Sequence, residues 1–316
     1  MRVLLVGAGA VGRVLYRALD QTKGNEVTFL VRPGRRAALE RLKVVDARSG
    51  EIRVRERPAA VELGQARPVV DTVLFCVRGD QLAAALDDVG AVLPGTRLAT
   101  ITPGPDGLTL LRARHAGHPV ARVAPAFMAY AEADAIVTWF PPIVKTPVTP
   151  DGDEAGSAAF AEELAGALAA GGVPAAARAK MFAGIDAGGD AFMPVLAAYA
   201  LAGYDAAALA RDGALLDLTG GAVGEAMTIG GAPGFAGAMA RRAAPPLVRA
   251  ALAAAPRMPD TFRAMWRAHA PKIEAQTRAI LEDLVRRSGD RPAPSLSELV
   301  RRLDARPAPA APAVSA

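Results

Sequence analysis

The segment that most constrains the fold of this chain lies near its start: Val3-Leu4-Leu5-Val6-Gly7-Ala8-Gly9-Ala10-Val11-Gly12. Arg2 to Val6 reads as a short buried strand and Val11 to Leu19 as a helix, with a G-x-G-x-x-G turn between them. Gly7 permits the tight turn, Gly9 lets the backbone approach a pyrophosphate, and Gly12 lets the helix pack against the strand. The start of the helix offers free N–H groups and a partial positive charge to phosphates. In this strand, turn and helix context the motif predicts a dinucleotide-binding domain, with cofactor contacts at Gly7, Ala8, Gly9, Ala10, Val11 and Gly12. The alternative is a glycine-rich turn that binds nothing.

The pattern continues with strand-like and helix-like segments in alternation. Glu26 to Val31 reads as a second strand, Arg35 to Leu42 as a short helix, and Lys43 to Val54 as one or two more strands. Val69 to Val77 and Arg97 to Thr102 read as buried strands, and Asp80 to Leu86 and Gly107 to Arg114 as helices. Such alternation argues for a doubly wound, mostly parallel α/β sheet, the Rossmann architecture. Between Pro119 and Pro150 the residues turn β-branched and aromatic, predicting final strands at the sheet edge, partly antiparallel. A helix over Glu154 to Ala170 should stop at Gly171-Gly172. After Pro174 strand signals nearly vanish and Ala, Leu and Gly dominate, which predicts an all-α domain. There Asp260 is a candidate N-cap for a short helix bearing Phe262, Met265 and Trp266, and Pro271 opens the next. The expected organisation is a nucleotide-binding domain over 1–173, a helical substrate domain over 174–303 and a disordered Pro/Ala tail over 304–316.

Composition narrows the classes. A chain of 316 residues exceeds one ordinary hydrophobic core, so two domains are expected. The net charge of +5 is small for this length, and the Arg-rich stretches lack interleaved aromatics, so no nucleic-acid partner is expected. No apolar run is long enough to span a membrane. Met1-Arg2 leads straight into the first strand, so no leader is expected, and the single cysteine, Cys76, reads as a buried inert thiol that suits a reducing cytoplasm. His115 and His118, read as loop residues, lack acidic or Cys companions at ligand spacing, which argues against a metal. No serine sits in a hydrolase elbow.

The residue after the second strand bears on cofactor choice. Sites that prefer NAD usually place an acid there to bind the ribose hydroxyls. Here the strand ends at Val31 and runs into Arg32-Pro33-Gly34-Arg35-Arg36. Arg32 sits where a 2′-phosphate would lie, with Arg35 or Arg36 in reserve, and this favours NADPH over a merely solvated basic loop.

Three features together resemble a known family. They are the N-terminal glycine motif with Arg32 after the second strand, the strand Val73 to Val77 followed by Arg78 and Gln81, and Lys180 opening a long helix at the start of a helical domain. The chain resembles the ketopantoate reductase family, whose Rossmann domain and all-α C-terminal domain form a 6-phosphogluconate-dehydrogenase-like arrangement. The resemblance implies further cofactor contacts at Val77, Arg78, Gln81, Pro103 and Gly104. It also implies that Lys180 protonates the carbonyl oxygen as hydride arrives, against the alternative of a solvent-facing helix lysine. Glu274 would anchor the substrate, and Arg78, Gly184 and Thr261 would lie around it.

The departures are specific. Pro103-Gly104 replaces an Asn-Gly of the family, and Gly184 and Gly188 replace asparagines, so the amides that bind a keto acid are missing. A different small polar or acidic carbonyl substrate is therefore expected. His269 and Lys272, at the joint between two helices, are further substrate-binding candidates and a second source of the acid, or else an exposed polar turn. The leading expectation is an NADPH-dependent reductase. The alternatives are an imine or secondary-metabolite reductase, or an inactive NADPH-binding regulator, and a homodimer is one open assembly.

Overall fold

The computed structural model describes residues 1–102, 105–141, 144–152, 156–178, 183–254, 263, 266, 267 and 270–306. The chain divides into two compact units, Met1–Met181 and Phe182–Ala316.

The first unit is built on an eight-stranded sheet. In chain order its strands are β1 (Arg2–Val6), β2 (Glu26–Val31), β5 (Ala60–Glu62), β6 (Thr72–Phe75), β7 (Arg97–Thr100), β8 (Val120–Val123), β11 (Thr146–Asp151) and β12 (Ala175–Ala177). Across the sheet the order is β12-β11-β8-β7-β6-β1-β2-β5. All neighbouring pairs are parallel except β8 with β11. The strands are apolar on both faces because both faces are covered. Val3 and Leu5 enter one core cluster, with α1 (Ala10–Gln21) and α4 (Ser157–Ala170). Leu4 and Val6 enter the other, with α2 (Gly79–Val89) and α3 (Pro105–Arg114). The doubly wound, mostly parallel sheet is thus present.

Several local expectations change. Arg35 to Leu42 is not a helix: only the single turn Ala37–Leu39 is helical, and Arg41–Asp46 forms β3. Leu42 and Val44 are buried in that strand while Lys43 between them is half-buried, so the period is two. β3 belongs to a separate four-stranded sheet, β4-β3-β10-β9, with β4 (Ile52–Glu56), β9 (Met128–Glu132) and β10 (Ala135–Trp139). The strands read between Pro119 and Pro150 are therefore shared between two sheets rather than gathered at one edge. His115 follows α3 and is buried, and His118 Nδ1 meets the Thr96 carbonyl at 2.8 Å.

The second unit contains α5 (Ala183–Leu201), α6 (Ala206–Arg211), α7 (Gly213–Ile229), α8 (Gly234–Ala254), α9 (Glu274–Ser288) and α10 (Pro294–Asp304). Its core follows helical spacing: Leu281 and Leu284 from α9, and Leu296, Leu299 and Leu303 from α10, meet Leu215 and Leu216 of α7. The helical region does not start at residue 174, because Ala175–Ala177 adds strand β12 to the sheet beside β11. Nor does the tail start at 304: Asp304 ends α10, and Arg306 reaches Glu274. Residues 307–316 lie outside the described residues.

Candidate functional site

In the first unit a cleft of about 470 Å³ opens beyond the carboxyl ends of β1, β2 and β6. The strand order reverses there, since β1 has β2 on one side and β6 on the other. Open α/β sheets bind ligands at such a switch point.

The three glycines of the first turn answer to different demands. Gly7 has φ of 105°, and a Cβ there would fall 2.6 Å from the Cys76 carbonyl oxygen. A Cβ on Gly12 would fall 2.1 Å from the Gly7 oxygen. The fold itself therefore requires both. A Cβ on Gly9 would meet no protein atom within 4 Å, and Gly9 lines the cleft. Gly9 is also the N-cap of α1, with no side-chain cap and no acid in the first turn, so the amides of that turn are left for a ligand. Gly7, Ala8 and Gly9 line the cleft together, while Ala10, Val11 and Gly12 belong to the helix's first turn behind them.

The second wall follows β2. Arg32 and Arg35 both line the cleft; Arg36 is not among its described lining residues. Glu62 accepts the Gly34 N–H at 2.9 Å, which ties this loop to β5. The third wall follows β6, through Val77, Arg78 and Gln81. The Arg78 guanidinium is held by both oxygens of Asp80, at 2.9 and 2.8 Å. This bond holds the Asp80 carboxyl below the ordinary carboxylate range and raises the Arg78 guanidinium. Leu63, Ala84 and Ala85 supply apolar surface suited to the face of a purine.

Two charged lining residues escaped the sequence reading. Arg13 donates from Nε to the Ala8 carbonyl at 3.0 Å and from Nη2 to the Ala38 carbonyl at 3.3 Å, joining the glycine turn to the turn after β2. Burial lowers its pKa. The only hint of it was a basic residue directly after the last glycine of the motif. The other is Asp88 of α2, the one carboxylate among the described lining residues, against Arg13, Arg32, Arg35 and Arg78. Cys76 also borders the cleft, and burial pushes its thiol well above the ordinary range, so it stays a neutral thiol. Among the described residues no group of His, Cys, Asp and Glu could hold a metal.

The remaining candidates are scattered. Pro103, Gly104, Lys180, Thr261 and His269 lie outside the described residues. Gly184 and Gly188 lie in α5, and Lys272 in the turn Pro271–Ile273. Glu274 begins α9, where its carboxylate accepts the Tyr204 hydroxyl and an Arg306 N–H, the latter at 3.2 Å. That pair compensates its charge inside the second unit. Burial and the Glu274 bond push the Tyr204 hydroxyl up to about 12.

Known proteins bear on this geometry. Residues 3–140 match the family model described as ketopantoate reductase PanE/ApbA. No curated protein sequence matches the chain. The fold is similar to 2-dehydropantoate 2-reductase from Geobacter metallireducens GS-15, at 15% identity and a TM-score of 0.73 over 96% of this chain and 99% of that one. It is also similar to a PanE/ApbA family ketopantoate reductase from Ralstonia eutropha JMP134, at 20% identity and 0.71 over 96% and 98%. A third is a D-mandelate dehydrogenase in complex with NADH and anilino(oxo)acetate, at 16% and 0.68 over 96% and 98%. The matched stretch, residues 3–140, holds the glycine turn and both flanking walls, so this part of the chain is similar to the ketopantoate reductase PanE/ApbA model, and the solved structures share the fold along nearly the whole chain.

Proposed function

We propose that the chain is an NADPH-dependent reductase acting on the carbonyl of a small polar or acidic substrate. One observation carries the cofactor reading. Of the three motif glycines, only Gly9 is unexplained by packing, and it lines a cleft whose next wall bears Arg32 and Arg35. A bound pyrophosphate explains the bare Gly9, and a 2′-phosphate explains two exposed guanidiniums at a strand end that carries no acid. Gly9, the first-turn amides of α1, Arg32, Arg35 and the apolar Leu63, Ala84 and Ala85 would hold the dinucleotide. When bound, the reduced nicotinamide supplies a hydride.

The chain supplies the rest. Arg78, pinned by Asp80, would present a fixed cation at the β6 edge of the cleft and orient an anionic substrate. The Lys180 ammonium would give its Nζ proton to the substrate oxygen as negative charge builds there. His269 and Lys272 are the next candidates for that proton. Pro103, Gly184 and Gly188, standing where the family carries amides, favour a substrate other than ketopantoate, an imine among them.

The test is NADPH oxidation against a panel of 2-keto acids, aldehydes and imines, with ketopantoate included. At least one should turn over, and ketopantoate should fall below the ordinary efficiency of about 10⁴ M⁻¹s⁻¹. Lys180→Ala should cut turnover about 10²- to 10⁴-fold and leave NADPH affinity nearly unchanged. Absence of NADPH binding by calorimetry would overturn the reading, and an unchanged turnover in Lys180→Ala would move the acid elsewhere.

A further inference from the structure

The second unit has a cavity of its own, of about 620 Å³, inside the size range of small-molecule sites. We propose that it binds an aromatic anion, a planar ring bearing a carboxylate or phosphate. None of its described lining residues belongs to the first unit, so the proposal stands apart from the dinucleotide cleft.

Its walls carry three aromatic rings. Tyr199 and Trp266 lie 6.2 Å apart between centroids and tilted by 33°, and Tyr204 meets Tyr199 edge-on at 5.6 Å. Two of these rings are held firmly. Tyr199 is 4% exposed and part of the helical core. Tyr204 has φ of 61°, costly for a residue with a side chain, and its hydroxyl is engaged by Glu274 while Arg306 lies 5.1 Å over its ring. Leu252 and Ala210 add apolar surface. Tyr199 thus braces the half-buried Tyr204 and Trp266, whose rings offer π surface to a flat ligand with little ordering cost.

The same cavity is lined by Arg211 and Arg267, and by Arg263, which has a partner of its own. The one carboxylate among its described lining residues is Asp205, and its Oδ1 already accepts the Ala207 and Ala208 N–H groups at 2.7 and 3.1 Å as the cap of α6. Arg267 also lies close enough to Tyr199 to oppose the upward shift that burial gives its hydroxyl. A guanidinium matches a carboxylate or phosphate in a plane and stacks on rings. A neutral aromatic would forgo the arginines, and an aliphatic acid would forgo the rings.

The experiment is calorimetric titration of the full chain with 4-hydroxybenzoate and, separately, with phenyl phosphate; benzamide and hexanoate are the controls. At least one aromatic anion should bind about tenfold or more tightly than either control, the worth of one charge-assisted hydrogen bond. Which of the two binds better assigns the carboxylate or the phosphate. The double change Arg211→Gln with Arg267→Gln should weaken that binding about tenfold or more, with unchanged helical circular dichroism and an unchanged thermal midpoint as the check on folding. Leu252→Trp, which fills the cavity and keeps all three arginines, should abolish it. The proposal is overturned if neither anion binds at millimolar concentration, if hexanoate or benzamide binds as well, or if binding survives either variant unchanged.

Discussion

Gly7, Gly9 and Gly12 share a motif but not a reason. Alanine at Gly7 or Gly12 would drive a Cβ into backbone oxygen and should cost about 1–3 kcal/mol of folding stability. Alanine at Gly9 has open space and φ of −69°, so stability should stay within about 0.5 kcal/mol while NADPH binding weakens. Denaturant titrations with and without NADPH separate the two outcomes; a Gly9→Ala protein that melts like Gly12→Ala would show that Gly9 too is a packing residue. Arg32→Ala should weaken NADPH by about 1–3 kcal/mol and leave NADH little changed. Equal losses for both cofactors in a titration would remove the 2′-phosphate assignment. The glycines and Arg32 were legible because their roles follow from spacing along a strand, turn and helix. Arg13 was not, because its meaning depends on the Ala38 carbonyl, 25 positions away, which only the folded chain brings near.

Elements are tied by a few polar side chains whose removal can be measured. Asp71 accepts the Arg2 N–H at 3.0 Å, the Thr72 hydroxyl at 2.9 Å and Arg97 at 2.9 Å, so it links β1, β6 and β7. Burial opposes its ionisation, yet these bonds outweigh burial and hold the carboxyl below the usual range. A depressed folded pKa gives stability that is fully present above the unfolded value near 3.9 and is lost as pH falls through the folded one. Asp71→Asn should therefore be less stable than the parent at neutral pH, with the gap closing below about pH 4. Urea titrations at several pH values check this; a gap that is constant with pH would mean that the charge contributes nothing. In the second unit Glu225 of α7 accepts the Ser295 and Leu296 N–H groups at 3.1 and 2.9 Å and so caps α10 from a distance. Glu225→Ala should cost about 1–2 kcal/mol, read from the same titrations. The long buried strands and the amphipathic helices were readable from their periods. Strand β5 was not, having only three residues, and Leu39 and Leu42, spaced by three, imitated one helix, although Leu39 ends a single helical turn and Leu42 belongs to strand β3.

For the whole molecule, cofactor binding should leave a map. NADPH should slow hydrogen exchange most in three stretches of the first unit: the β1 turn, the loop after β2, and the start of α2. Mass spectrometry that finds its main protection elsewhere would displace the site. No described helix is long and apolar enough to cross a membrane. The last strand of the sheet, β12, is only Ala175-Ala176-Ala177, followed by an Arg178 N–H on the Val148 carbonyl at 2.9 Å. Its side chains are only methyl groups, Ala175 in the core and Ala177 against it, yet it occupies the hydrogen-bonding edge of β11. A fragment cut at Val173, where the strand signals fade, would expose that edge as a template for other chains and should self-associate. One cut after Arg178 keeps the edge closed and should stay dispersed. Three alanines that read as the start of a helical region would then decide the colloidal behaviour of the first unit on its own.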